Sequence, residues 1–584
     1  MTRAPLPGID PNTVAERDRM VIYLAILMAL FLAALDQTIV STALPRMVED
    51  LQGIDRYAWV ATSYLLASTA LALVYGKLAD TYPRKHVTLG AVGLFLSGSM
   101  LCGLSGEFGS LPLLGDGMTQ LVIFRGIQGA GGGGLFAMTF IVIADLFTPA
   151  ERGRYQGLVG AVFGIASVLG PLVGGVLTDH AGGLIPGVEG WRWVFYVNVP
   201  VGAVAVWFIA RRMPRLEPQG DRTPPDLLSG ALLLGGLIPV TLALQLDKRR
   251  YPWLPTHETG ARGLEAWTTL GLGLFGLLVL ALFIQRSRTS RSPILDFRLF
   301  ENDVFRTANL STFFFGASFM SVTIFLPLYL VNVMGVSATR AGAALIPFSM
   351  GIVVAATYAG QAAVRIGYRK QIVVGGVLFG VASVFLANMG ADEPYARVVA
   401  YMVLAGFGIG PSLPLFTLAI QNAVDVRFIG QATSASQFFR QTGATVGAAI
   451  MGTVLATSLG SAFASLPLPA EVMGAPGASS EALLATGGAG LPEQVRAAFE
   501  ASAVASGSPT DAELIRAEGD RVAMEIGMAV RSAFAQATSR IYWLTVAIVI
   551  LATALSARVP ELPLRTTHDR ASGEGDVGTG QPPQ

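Results

Sequence analysis

A chain of 584 residues with 52% hydrophobic and only 14% charged residues is not a string of soluble domains, because about a quarter of a soluble domain is charged. Mean hydropathy is +0.56, and the apolar residues come in long blocks rather than alternating with polar ones. The net charge of +1 lacks the basic excess of a nucleic-acid-binding protein. One cysteine, Cys102, excludes a disulfide framework or a cysteine-based metal site and reads as a small buried residue.

Residues 1–20 are polar, and an apolar run from about Met20 to Val40 follows. That run exceeds the roughly 7–15 residues of a signal-peptide core and contains Asp36, so it reads as a first membrane span. Thirteen further blocks of spanning length follow. They lie at about 58–80, 86–106, 119–143, 155–178, 194–212, 226–246, 266–285, 306–332, 339–363, 370–390, 396–420, 432–458 and 540–558. An even count puts both termini on one side. Most lysines and arginines fall in the segments on that side, so the positive-inside rule predicts cytoplasmic termini in the cell inner (cytoplasmic) membrane. A cluster of Lys248, Arg249, Arg250 and Arg262 runs against the trend in an outer loop.

The predicted fold is an all-α polytopic membrane protein. Residues 1–212 form an N-terminal six-helix bundle and 213–300 a two-helix insert with cytoplasmic linkers. Residues 301–558 form a C-terminal six-helix bundle that includes a long outer loop at 459–539, and 559–584 a disordered cytoplasmic tail. The loop opens with an Ala/Gly/Ser/Pro stretch that reads as flexible. Its second half differs: Thr510 and Glu513 have capping-box spacing, and Leu514, Ile515, Val522, Ile526 and Ala533 recur at helical intervals. That half reads either as a tether with a surface helix, or as an outer extension of the last span. The turns GKLADTYPRK (Gly76 to Lys85) and GQAAVRIGYRK (Gly360 to Lys370) both open with glycine and end in a basic pair. Two six-helix halves would place them equivalently, as repeated halves do in secondary transporters.

Within the spans a few residues could carry chemistry. Asp36 lies in LAALDQTIVSTALP. A carboxylate in lipid faces a cavity or belongs to an ion or substrate pathway, and low dielectric disfavours its charged form. The other reading is a hydrogen-bonded structural residue near the outer interface. Arg125, in LVIFRGIQGAGGGG, stays charged and must pair or face water. In the fifth span Gly157, Gly160 and Gly164 share a helical face, followed by Gly170, Pro171, Gly174 and Gly175. These make either ordinary small-residue packing or a pliable contact between the halves. Asp80, Arg84 and Lys85 either fix topology or latch the inner face. Asn309, Phe313, Phe314, Phe315, Phe319 and Met320, with Gln437, Arg440 and Gln441, have the character of an adaptable pocket. No GxxxxGK[ST] loop, HExxH motif or nucleophile elbow occurs, and the four histidines are scattered. No enzyme chemistry, cofactor or metal is expected.

Taken together, these segments resemble the major facilitator superfamily, in its fourteen-span drug–proton antiporter branch. LDQTIVSTALP resembles the signature around that branch's membrane-embedded aspartate, which falls on Asp36. GKLADTYPRK resembles the superfamily's loop motif, its glycine, acid and basic pair falling on Gly76, Asp80, Arg84 and Lys85. Thr81 and Pro83 depart from that pattern. LVIFRGIQGAGG resembles the fourth-span motif and carries the proton-transfer arginine onto Arg125. GPLVGG resembles the antiporter motif at Gly170, Pro171, Gly174 and Gly175, with Gly164 before it and Ala166 replacing the motif's first glycine. WRWVFYVNVPVG, from Trp191 to Gly202, is similar to the branch's sixth span. The resemblance implies a proton-coupled exporter of lipophilic or cationic drugs, working as a monomer among membrane lipids by alternating access. It also implies that substrate and protons share a cavity between the halves, Asp36 taking the proton and Arg125 tuning the exchange. Export of an endogenous lipid or glycolipid, and solute uniport, remain alternatives.

Overall fold

The computed structural model describes residues 16–53, 56–112, 114–183, 185, 188–214, 216–217, 223–246, 264–464, 491–505 and 509–564. The cluster of Lys248, Arg249, Arg250 and Arg262, residues 465–490 and 506–508 of the predicted loop and the tail beyond residue 564 lie outside the described residues; residues 459–464 of that loop instead continue the thirteenth spanning helix. Fourteen helical stretches are long and apolar enough to cross a membrane. In chain order they are α1 (Asp18–Leu51), α2 (Trp59–Thr81), α3 (Arg84–Gly103), α4 (Gly117–Leu146), α5 (Pro149–Gly183), α6 (Gly190–Arg212) and α7 (Leu227–Leu244). They continue with α8 (Trp267–Thr289), α9 (Asp303–Asn332), α10 (Arg340–Ile366), α11 (Tyr368–Ala387), α12 (Tyr395–Ala423), α13 (Val426–Ala464) and α14 (Thr510–Ala557).

Local chemistry sets where several of these helices begin. The Asp116 carboxylate accepts the Thr119 N–H at 2.9 Å ahead of α4. The Asn302 side chain accepts the Phe305 N–H at 3.1 Å at α9, and Pro149 occupies the first turn of α5. Each satisfies or removes a donor that a helix start leaves open. Two helices run well past the apolar blocks. The first helix extends to Leu51 through Pro45, with Ser41 and Thr42 hydroxyls donating back to the Thr38 and Ile39 carbonyls. Asp36 therefore sits mid-helix rather than near the outer end. The helix of the last span begins at Pro509 and continues unbroken to Ala557, so the second half of the predicted loop runs into the last span as one rod. Thr510 and Glu513 fall inside it, not at a cap. The helix Leu491–Ala505 packs along this rod through Arg516–Glu500 and Arg496–Asp520 ion pairs.

The helix pairings repeat. In the first six spans α5 and α6 pack on α1, α2 and α3 on α4, and α6 on α3. In the last six, α13 and α14 pack on α9, α10 and α11 on α12, and α14 on α11. Contact between the two sets obeys the same correspondence: α5 lies along α10, and α13 along α2. The insert sits at the edge, α7 touching α2 and α13 while α8 touches α7. Most of α8 faces outward, as Leu274, Phe275, Leu277 and Leu278 show.

The run of glycines in α4 follows from its position. With 94% of its apolar window buried, α4 is wedged between α2 and α3. A Cβ at Gly129 would strike the Tyr64 backbone on α2, and one at Gly131 the Phe95 backbone on α3. This close approach brings the polar residues of α4 against α1.

Candidate functional site

Two polar assemblies and one cavity occupy the centre of the molecule. The first assembly is a charge cluster inside the first six spans. Asp36 is fully buried and Arg125 is 2% exposed. The Arg125 guanidinium donates to one Asp36 oxygen at 2.5 Å. Gln128 donates to the other oxygen at 2.8 Å, and Asn198 donates to it at 3.3 Å. Arg125 is held in turn by the Gln128 carbonyl at 2.8 Å and the Val60 carbonyl at 3.3 Å, and lies 4.4 Å from the Tyr64 ring centre. Asn198 also donates to Ser99, whose hydroxyl donates to the Phe195 carbonyl. A buried ion pair persists only where further hydrogen bonds satisfy both partners, and here neutral amides do so. The sequence reading named Asp36 and Arg125 but missed Gln128, Asn198, Ser99 and Tyr64. Gln128 and Asn198 carried a legible signal, since each is a polar residue within an apolar span.

The second assembly closes the face of the molecule that carries the chain's first and last helix ends. Asp80, at the end of α2, accepts the Gly430 and Gln431 N–H groups at 2.8 Å each. These N–H groups open the helix of α13 (Ile429–Ala464), where the helix dipole also favours a negative charge. Arg84 donates to Asp145 at 2.7 Å and lies 3.7 Å from Asp80. Lys85 reaches the Ala210 carbonyl at 2.7 Å. Gly76 allows the approach of α2 and α13: a Cβ there would sit 2.6 Å from the Gly430 carbonyl oxygen. Deeper in, Gln156 of α5 donates to Gln421 of α12 at 2.9 Å, and Gln421 donates to Thr433 and the Phe140 carbonyl.

Above that seal lies a cavity of about 2440 Å³ between the two sets of six spans. Its lining is exposed at the opposite face, at Ser41, Thr42, Thr453 and Thr457, and buried at the seal, at Gln156, Thr417 and Ser436. Phe136, Phe163, Phe315, Phe319, Phe348 and Phe416 supply much of the apolar wall. Of the predicted pocket residues, Gln437, Arg440 and Gln441 line it, with Phe315, Phe319 and Met320. Asn309, Phe313 and Phe314 do not. Asn309 donates to the Phe305 carbonyl of its own helix, and Phe313 presents its backbone to Gly443 of α13. Helical rotation decides this, and an apolar run does not reveal which of its faces looks inward.

Neither Asp36 nor Arg125 lines the cavity. Ala34, Gln37, Thr38 and Ser41 present one side of α1 to it, while Asp36 faces α4 and α6 on the other. Asp36 and Arg125 thus stand outside the cavity that the resemblance implied substrate and protons would share. The glycines of α5 likewise divide. Gly157 and Gly164 approach α10 across the boundary between the halves, and Gly153 and Gly360 meet there backbone to backbone. Gly170 and Gly174 approach Thr38 and Thr42 of α1 within one half. Pro171 and Gly175 face the cavity.

Paired six-span sets around a central cavity, sealed at one face and open at the other, are the architecture of a secondary transporter. Residues 26–448 match the family model of the Major Facilitator Superfamily. The chain is 34% identical over 440 residues to the multidrug transporter protein MdtP of Bacillus subtilis, covering 75% of this chain and 76% of that one. It is 35% identical over 448 residues to multidrug resistance protein 3 of the same organism, covering 76% and 81%. An uncharacterized MFS-type transporter of Mycobacterium tuberculosis is 31% identical over 569 residues, covering 97% of this chain and 72% of that one. Among solved structures, the proton:xylose symporter XylE superposes with a TM-score of 0.57 at 12% identity, covering 93% of this chain and 96% of that one. The human organic anion transporter MFSD10 superposes at 0.54 with 11% identity, covering 91% and 99%. The chain belongs to the Major Facilitator Superfamily and is a multi-pass membrane transporter.

Proposed function

We propose that this protein exports lipophilic small molecules in exchange for protons. The two named Bacillus relatives are a multidrug transporter and a multidrug resistance protein, and the large phenylalanine-rich cavity suits bulky apolar cargo. The positive-inside distribution of lysine and arginine puts both termini in the cytoplasm. On that orientation the observed state is outward-open, with the Asp80 latch and the Gln156–Gln421 bond closing the inner face. The first and last six spans act as the two moving halves, and α7 and α8 form a peripheral insert.

The observation that carries the proton role is Asp36 held by Arg125, Gln128 and Asn198. Protonation of Asp36 removes the charge that Arg125 pairs with, which leaves an unmatched guanidinium and loosens α1 from α4. Because the opposite side of α1 lines the cavity, loss of that bond changes the cavity wall without substrate touching the carboxylate. Arg125 tunes the exchange as the ion-pair partner of that carboxylate. The latch of Gly76, Asp80, Arg84 and Lys85 breaks when the inner face opens. Gly170 and Gly174 let α5 and α1 slide.

A second reading, export of an amphipathic lipid, gains support from the helical hairpin on the opposite face, which exposes Val504, Leu514, Met524 and Met528. The test uses purified protein in liposomes with an imposed pH gradient and three fluorescent probes: neutral Nile red, cationic rhodamine 123 and anionic fluorescein. Gradient-driven flux of at least one probe is expected for the wild type and its loss for Asp36→Asn. Flux that is unchanged in Asp36→Asn overturns the proton role. Absence of any driven flux, with a labelled phospholipid moved instead, replaces small-molecule export by the lipid reading.

A further inference from the structure

We infer that Arg440 anchors an acidic group of the cargo, and that the transported compounds are lipophilic anions: amphipathic carboxylic or sulfonic acids with an aromatic body. The inference rests on the transport reading above and names its substrate class.

The cavity lining contains many hydroxyls and amides, but among the described residues its one charged side chain is Arg440. No carboxylate lines it. A site that selects cations in a low-dielectric space needs a negative charge or an aromatic cage with exposed ring faces. Here the only fixed charge is positive. A cation entering would meet repulsion strengthened by the apolar wall, whereas an anion would meet attraction.

Arg440 is also built to be available. Its single hydrogen-bond acceptor among the described residues is the Gln437 carbonyl oxygen, one turn away on the same helix. It makes no ion pair among those residues. Arg125, a buried arginine midway along its span, offers the contrast, with its carboxylate at 2.5 Å. A guanidinium remains charged under all working conditions, and it carries five donors in a planar fork. One amide oxygen leaves most of that fork facing the cavity. A carboxylate or sulfonate would complete it with two parallel charge-assisted hydrogen bonds. Gln441, also on the lining, can donate a further bond. Phe315, Phe319 and Phe416 of the same half lie along the lining to receive an aromatic body. The backbone behind Arg440 is fixed, because its carbonyl lies against Gly316 of α9, where a Cβ has no room.

Anion cargo has an energetic consequence. Carrying a monoanion outward moves negative charge in the direction that an inside-negative potential favours, and inward protons add to the same current. Export of an anion therefore responds to membrane potential, while exchange of one monocation for one proton does not.

The test compares fluorescein with rhodamine 123, which share a xanthene core and differ in charge, on full-length protein. In liposomes the wild type is expected to move fluorescein faster than rhodamine 123, and an inside-negative potential set by valinomycin and potassium should accelerate fluorescein efflux. Arg440→Gln is expected to reduce fluorescein flux by about tenfold or more, the scale of one charge-assisted hydrogen bond. Nile red flux should survive. Arg440→Lys should retain part of the fluorescein flux, and Arg440→Glu should shift the preference toward rhodamine 123. Fluorescein anisotropy with detergent-solubilised protein supplies a second readout that needs no transport. Tight wild-type binding weakened about tenfold in Arg440→Gln supports the inference even if no proton-driven flux is found, which would sink the transport reading alone. Equal or better handling of rhodamine 123 by the wild type, or fluorescein binding and flux indifferent to Arg440→Gln and Arg440→Glu, overturns the inference. Melting curves of the Arg440→Lys variant establish that the fold is intact.

Discussion

Two arginines lie deep among the spanning helices, and their surroundings differ in kind. Arg125 on α4 is sealed inside one half of the molecule, its guanidinium matched to Asp36 and braced by Gln128 and the Val60 carbonyl. Arg440 on α13 faces the cavity between the halves, and among the described residues its guanidinium is hydrogen-bonded to the Gln437 amide alone. A membrane bundle can thus hold the same charge in two ways. One is neutralised by the protein and can respond only when its partner changes protonation. The other is left for something that enters from outside. On the proposed reading, they separate ion coupling from cargo recognition on opposite sides of α1.

The largest expected effect breaks this comparison if it fails. Removing one member of a buried pair costs about 3–5 kcal/mol, so Arg125→Leu should strongly destabilise the protein in thermal unfolding in detergent. The Asp36→Leu/Arg125→Leu double variant should regain much of that loss. Arg440→Leu removes a charge with no carboxylate partner, so its unfolding should change by less than about 1 kcal/mol or move upward. Equal destabilisation by both single changes would show that the two sites are not different in kind.

A second prediction concerns the seal that makes Arg440 reachable from one face only. Gly360→Ala pushes a methyl into the Gly153 backbone, which cannot move aside as a side chain does. Overpacking of this sort costs about 1–3 kcal/mol, and the strain falls on the observed state, in which the two glycines meet. Maleimide labelling of a cysteine placed at Thr453, in a Cys102→Ala background, should slow as the population of that state falls. Third, Asp80→Ala removes the carboxylate that accepts two N–H groups at the start of α13, a loss of about 0.5–2 kcal/mol by the measure of helix N-caps. It should slow the same labelling less than Gly360→Ala does.

The smallest effect lies outside the membrane. Arg56, followed by the Thr119 N–H and hydroxyl, holds the Asp116 carboxyl well below the usual carboxylate range. A depressed folded-state value means that the stabilisation is present above the unfolded value of about 3.9 and is lost as pH falls below it. The pair is partly exposed, so Arg56→Ala should cost under about 1 kcal/mol at pH 7. Unfolding curves should show that difference constant from pH 7 to 5 and shrinking below about pH 4.

How much of this could be read from the sequence depended on which physical signal carried it. The spans were legible because an apolar run of spanning length has no soluble alternative, and all fourteen blocks correspond to spanning helices. Ends were less legible where a polar stretch stays helical, as from Ser41 to Leu51. The helix Leu491–Ala505 was missed because its small, mixed residues resemble the flexible stretch before it. Asp36 and Arg125 announced themselves as charges in lipid. The neutral amides that hold them did not, although a polar residue in an apolar span is the same signal at lower strength. Arg440 is also a charge in a predicted span, but it was grouped with Asn309 and Phe313 as one pocket, and the linear order does not show which of them faces the cavity.

The sequence by itself determined a fourteen-span helical membrane protein, because hydropathy and span length are properties of short segments. It also determined the family, through motifs that are local strings. Tertiary structure decided which side of each helix faces what. It put Asp36 behind α1 and Arg440 in front of the other half, because a helix turns 100° per residue and its neighbours choose the angle. It also turned the glycines of α5 to two different partners, and, among the described residues, left the cavity with one positive charge and no carboxylate to balance it.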